Sequence, residues 1–111
     1  MSKYLPDRWV VVKIINALDV VHKVFGCWYG GYMGSDSWQM NSGITAVTEA
    51  NNYWLFEGVS GSVYKCMKGY YGVHSYGRTI LSNFVVKARE EGVEIVELPE
   101  NTDWKDLNYY G

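Results

Sequence analysis

The chain has 111 residues, the size of one domain, and its 48% apolar, 16% aromatic and 20% charged residues exclude a disordered chain and point to one buried core. A formal net charge of −2 and a pI near 5.6 repel polyanions, which excludes duplex nucleic acid as a partner unless a local basic patch overrides the global field. The opening MSKYLPDR lacks the apolar stretch of a secretory signal and the apolar runs are short, so a cytoplasmic protein without a membrane anchor is expected.

Taken in order, Arg8 to Ile15 is rich in β-branched residues and reads as a central strand. Val10, Val12 and Ile14 share one face, while Trp9, Val11 and Ile15 share the other with Lys13. Asn16 to Asp19 gives a turn, and Val20 to Tyr29 returns as the partner of a hairpin. Gly30, Gly31 and Gly34 then mark a bent connection, since glycine accepts positive φ without a steric penalty.

Extended structure resumes at Ser37 to Asn41, and Gly43 allows a bulge before Ile44 to Thr48. Asn51-Asn52 supplies a turn into Tyr53 to Val59, and Ser60-Gly61-Ser62 a second turn into Val63 to Met67. The periodicity changes after Ser75: Ile80, Leu81, Phe84, Val85 and Ala88 fall on one helical stripe, so a helix is predicted over Gly77 to Glu91. Gly92 suits the position after its end, with Lys87 and Arg89 complementing the helix dipole. Val93 to Leu98 reads as a last strand, ended by Pro99, and Thr102 or Asn101 would cap a final helical turn carrying Trp104 and Leu107.

The fold expected is therefore α+β: residues 1–111 as a single domain, with a strongly twisted antiparallel meander of five to six strands and one helix on one face. A partly closed barrel is the nearest alternative. Cys27 and Cys66 sit within strand-like segments, far from any CxxC spacing, and read as small buried hydrophobes. Neither a metal site nor a cofactor motif is expected from two scattered His and two scattered Cys.

Two places invite a functional reading. The stretch from Phe25 to Ile44, FGCWYGGYMGSDSWQMNSGI, is aromatic, glycine-spaced and nearly uncharged, and in it Trp28, Tyr29, Tyr32 and Trp38 would line a shallow groove edged by Asp36, Ser37, Asn41 and Ser42. Against that, the Trp residues serve equally well as cross-strand core partners and the glycines as devices of sheet curvature. The second place is the start of the helix, where His74 and Arg78 put positive charge against the positive end of the dipole. With Lys68 and free backbone N–H groups they would form an anion site for phosphate or carboxylate, or simply be exposed side chains.

A serine hydrolase would need Ser37 or Ser42 to meet His74 and Asp36, but neither serine lies in a G-x-S-x-G elbow. The acidic residues cluster toward Glu90 to Asp106, as a solvated face does. GGYMG precedes no helix and is not a phosphate loop. Stacking of single-stranded nucleic acid on exposed Tyr and Trp fits better than duplex reading, against an unfavourable net charge.

The combination RWVVVKI, KVFGCWYGGY, DSWQMNSGI and SGSVYKC, between Asp7 and Tyr70, resembles a group of small uncharacterised proteins encoded by tailed bacteriophages, marine ones among them. The resemblance implies a phage-related origin, an infected bacterium as the setting, and an accessory or host-interaction role rather than metabolic catalysis. It transfers no catalytic residue. The expectation is a non-catalytic binding module whose aromatic surface engages a protein partner or a second copy as a homodimer. The alternative is a small-molecule or nucleotide ligand held between that surface and the basic helix start.

Overall fold

A computed structural model describes residues 3–31 and 34–109. Among them are eight strands and one helix: β1 (Lys3–Tyr4), β2 (Arg8–Ile15), β3 (Val20–Trp28), β4 (Ser37–Met40), β5 (Ile44–Glu49), β6 (Tyr53–Gly58), β7 (Val63–Met67), α1 (Ser75–Glu90) and β8 (Glu94–Glu97). The class is α+β with antiparallel pairing dominant, as expected. The number of sheets is not. The strands form two four-stranded sheets, a central one in the order β4-β3-β2-β8 and an outer one in the order β1-β7-β6-β5, and neither closes into a barrel.

Alternation along β2 explains the layering. Val10 and Val12 point toward α1 and join Phe25, Cys27, Val73 and Leu81 in one cluster. Trp9 and Val11 point the other way, to Val24, Ile44, Phe56, Tyr64, Cys66 and Trp104 between the sheets. Both faces of the central sheet are thus covered, by the helix on one side and by the outer sheet on the other. The sequence of β2, apolar on both faces, is what such a middle layer requires.

The chain leaves the central sheet for the outer one between β4 and β5. Asn41, 3% exposed, accepts the N–H of Val24 on its Oδ1 at 2.9 Å while its own N–H donates to the Val24 carbonyl at 3.0 Å, so it extends the β3–β4 ladder by one unusual rung. Gly43 follows at φ +128, and the register slips between Ile44 and Ala46. The predicted bulge is there, but it serves to change sheets.

Helix α1 ends as predicted. Val93 N–H donates to the Ala88 carbonyl at 2.8 Å and Gly92 N–H to that of Arg89 at 3.1 Å, with Gly92 at φ +78, which is a Schellman closure. Beyond β8, the expected helical turn around Trp104 is instead a strap of turns. Trp104 is 2% exposed and its ring lies 5.9 Å from Trp9, 6.1 Å from Phe56 and 5.8 Å from Tyr71, plugging the space between the sheets. The strap is tied at its far end by Tyr109, whose hydroxyl donates to the Trp104 carbonyl, and at its side by Lys105 on Glu49.

Candidate functional site

The aromatic stretch is divided by strand alternation. Trp28, at the end of β3, turns toward the outer-sheet side, where its indole N–H donates to the Leu5 carbonyl at 2.9 Å. Trp38, on β4, turns toward α1, stacking at 5.7 Å on Phe25 and meeting Phe84 edge-on at 5.0 Å. They do not form one flat platform. They do border one open groove of about 610 Å³, lined by Tyr4, Leu5, Trp28, Ser37, Trp38 and Gln39 among others.

The N-terminal segment makes the far wall. Pro6 lies so close over β3 that a β-carbon at Gly26 would stand 2.9 Å from the Pro6 Cβ, so only glycine permits this crossing. Asp7 then donates its N–H to the Cys27 carbonyl and accepts the Tyr29 N–H at 2.8 Å. The groove lies between this segment and β4, an edge strand whose outer side has no partner strand among the described residues. Leu5 is 54% and Trp38 37% exposed, an apolar pair open to solvent.

The remaining predicted residues of the stretch have local roles. Asp36 accepts the Gly30 N–H at 2.9 Å and closes the β3–β4 connection. Asn41, expected at the surface, is buried for the reason given above, and its Nδ2 has no hydrogen-bond partner. Tyr32 lies outside the described residues. Tyr29 belongs to the helix start: its hydroxyl donates to the His74 carbonyl at 2.7 Å and accepts the His74 N–H at 3.2 Å, and its ring stacks on the imidazole at 4.7 Å. Burial pushes the Tyr29 phenol above its ordinary value and the Cys27 thiol up to about 11, so neither is an anion at neutral pH.

At the helix start the structure brings His74 and Arg78 together but not Lys68. The Lys68 ammonium is 2.6 Å from Glu49 and sits over the Trp54 ring at 4.9 Å, on the outer sheet. Arg78 is bound by Glu97 of β8 through two contacts, 2.7 and 3.2 Å. Here the apparent conflict with the helix dipole resolves: α1 has no acid in its first turn, and β8 delivers the carboxylate from across the fold. The guanidinium therefore already holds its anion.

Tyr71 forms a parallel bridge with Trp9, Arg8 donates to the carbonyls of Tyr71 and Gly72 at 2.7 and 2.8 Å, and the chain then turns into α1 at Ser75, φ +51. That conformation costs a residue with a β-carbon about 1–2 kcal/mol. Extended segment, strained serine and helix is the layout of a hydrolase elbow, and VHSYG departs from the G-x-S-x-G signature only at its first position, Val73, so the motif alone does not flag it. The rest of a triad is not assembled. His74 Nδ1 stands 3.5 Å from Ser75 Oγ, no carboxylate among the described residues hydrogen-bonds His74, Ser42 is bonded to Ser60, and Asp36 is bonded to Gly30.

Among the described residues no group of three or more His, Cys, Asp or Glu is placed to hold a metal ion, and no helix is long and apolar enough to cross a membrane. The chain matches no protein family, no curated protein and no solved structure.

Proposed function

We propose that this protein is a non-catalytic binding module that takes an extended segment of a protein partner, or of a second copy, along the edge strand β4. The observation that carries this reading is the open β4 edge beside a groove of about 610 Å³ that exposes Leu5 and Trp38. An unpaired strand edge offers a row of backbone donors and acceptors, and a neighbouring apolar groove selects alternate side chains of the added strand. The resemblance to tailed-phage proteins fits such an accessory role, with a host protein as the partner.

The test uses Gln39→Lys, which leaves the packed face of β4 alone and places a charge in the groove. Sedimentation velocity over a range of concentrations reads self-association, and tryptophan fluorescence reads titration with a panel of extended apolar peptides. Binding or association in the parent chain that weakens at least about tenfold in the variant supports the reading. A parent chain that stays monomeric and binds no peptide, or a variant that behaves identically, overturns it.

A further inference from the structure

The opposite border of α1 carries a second cavity, separate from the β4 groove. Its origin is in how the helix is seated. At its start α1 is pressed onto β3 so closely that a β-carbon at Gly77 would lie 2.5 Å from Cys27 Sγ and 2.7 Å from the Tyr29 hydroxyl. Farther along, Phe84 fills the β4 side against Trp38. The β8 side receives no aromatic residue. Only the aliphatic side chains of Leu81, Val85 and Val86 face Val12 and Ile95 there, and a cavity of about 220 Å³ remains between helix and sheet.

The polar groups at this cavity are few and mutually compensated. Arg78 and Glu97 both line it, and they hold each other in a two-point ion pair, so the mouth has no net charge to offer an ionic ligand. A guanidinium whose in-plane N–H groups are engaged still presents its flat face, which favours aromatic rings. Ser82 adds one hydroxyl to the lining. An apolar cavity of about 150 Å³ already suffices to hold benzene, so this larger one has room for a bicyclic ring.

We propose that the α1–β8 cavity is a binding site for a small, neutral, flat aromatic molecule carrying one hydrogen-bonding substituent, of the size and polarity of indole or a phenol. The ring lies among Val12, Leu81, Val85 and Ile95, the Arg78 guanidinium covers it, and Ser82 meets the substituent. A charged ligand is disfavoured because it would have to break the Arg78–Glu97 pair.

The experiment titrates the full chain, with methyl-labelled Val, Leu and Ile, against indole and against cyclohexanol, following methyl chemical shifts. Expected are saturable shifts at Val12, Leu81, Val85 and Ile95 with indole, and weaker binding of cyclohexanol. Val86 is 56% exposed, so Val86→Trp is tolerated at the surface while its indole ring closes the mouth, and it should abolish the shifts. Arg78→Gln, which removes the cation but keeps a side chain able to donate to Glu97, should weaken indole about two- to fivefold, the range set by an exposed cation–π contact. Shifts that never saturate, that appear at Leu5 and the β4 groove instead, or that persist in both variants overturn the proposal.

Discussion

Replacing Trp104 by alanine should be the most damaging single change in the C-terminal strap. The ring is 2% exposed and touches three other aromatic rings, so its deletion removes on the order of 150–250 Å² of buried apolar surface. At about 25 cal/mol per Å² that is about 4–6 kcal/mol, and large-to-small substitutions of buried aromatics cost about 3–5 kcal/mol in practice. A domain of this length has in total about 6–17 kcal/mol, so the loss is a large share. Urea unfolding should show it as a lower midpoint, and thermal unfolding as a fall of about 12–20 °C. Lys105→Ala removes only an exposed contact, 3.0 Å to Glu49, and should leave the midpoint nearly unchanged. If Trp104→Ala cost less than about 1 kcal/mol, or no more than Lys105→Ala, the strap would not be held by its plug and the reasoning would fail.

Gly77→Ala should destabilise by about 1–3 kcal/mol in chemical denaturation, because the added carbon meets Cys27 Sγ at 2.5 Å, and combining it with Cys27→Ala should recover part of that loss. His22 is 1% exposed and its pKa lies below the ordinary 6.5, chiefly through burial, with Lys13 adding to the shift and the Tyr109 backbone opposing it. Below pH 6.5 the unfolded chain then binds more protons than the folded one. Stability should be complete above that pH and decline as pH falls through it, by at most about 1.4 kcal/mol per pH unit, and His22→Phe should flatten this part of the profile. Cys27, held up to about 11, and Cys66, raised well above its ordinary value by burial, should react with a thiol reagent at pH 8 only as fast as the chain opens. Labelling at the rate of a free thiol in the folded protein would contradict their burial.

What could be read from the sequence was what is encoded locally. The strand β2, the hairpin to β3, the turns at Asn51-Asn52 and Gly61, and the cap at Gly92 all announce themselves through alternation or through residues that tolerate unusual φ. The split into two sheets had no such mark. A bulge that continues a meander and a bulge that carries the chain to another layer place the same glycine at the same point, and only the partners of Asn41 and Ile44 tell them apart. A polar side chain that substitutes for a strand partner, as Asn41 does, looks in sequence like a surface residue. β1, two residues in parallel with β7, is too short to show a period.

The site residues followed the same division. Composition marks Trp28 and Trp38, but alternation sends them to opposite faces of one sheet, and the groove they border depends on an N-terminal segment that carries no local signal of its part. Arg78 stood out because its local charge was wrong for a helix start. The answer, Glu97, is nineteen positions later in sequence and reaches it only through the pairing of β8 with β2. Ser75 betrays its conformation nowhere in its own residue type.

The position of the plug also imposes an order on synthesis. Trp9, Phe56 and Tyr71 are all made before the residue that fills the space between them, and β2 lacks its β8 neighbour until the same late stage. A nascent chain that has reached Met67 holds seven of the eight described strands but not Trp104, a member of the core between the sheets. Such an intermediate is prone to stick to its neighbours. Interrupted translation upstream of Trp104 should therefore yield a product that chaperones and proteases recognise as unfinished, even though nearly every strand has been made.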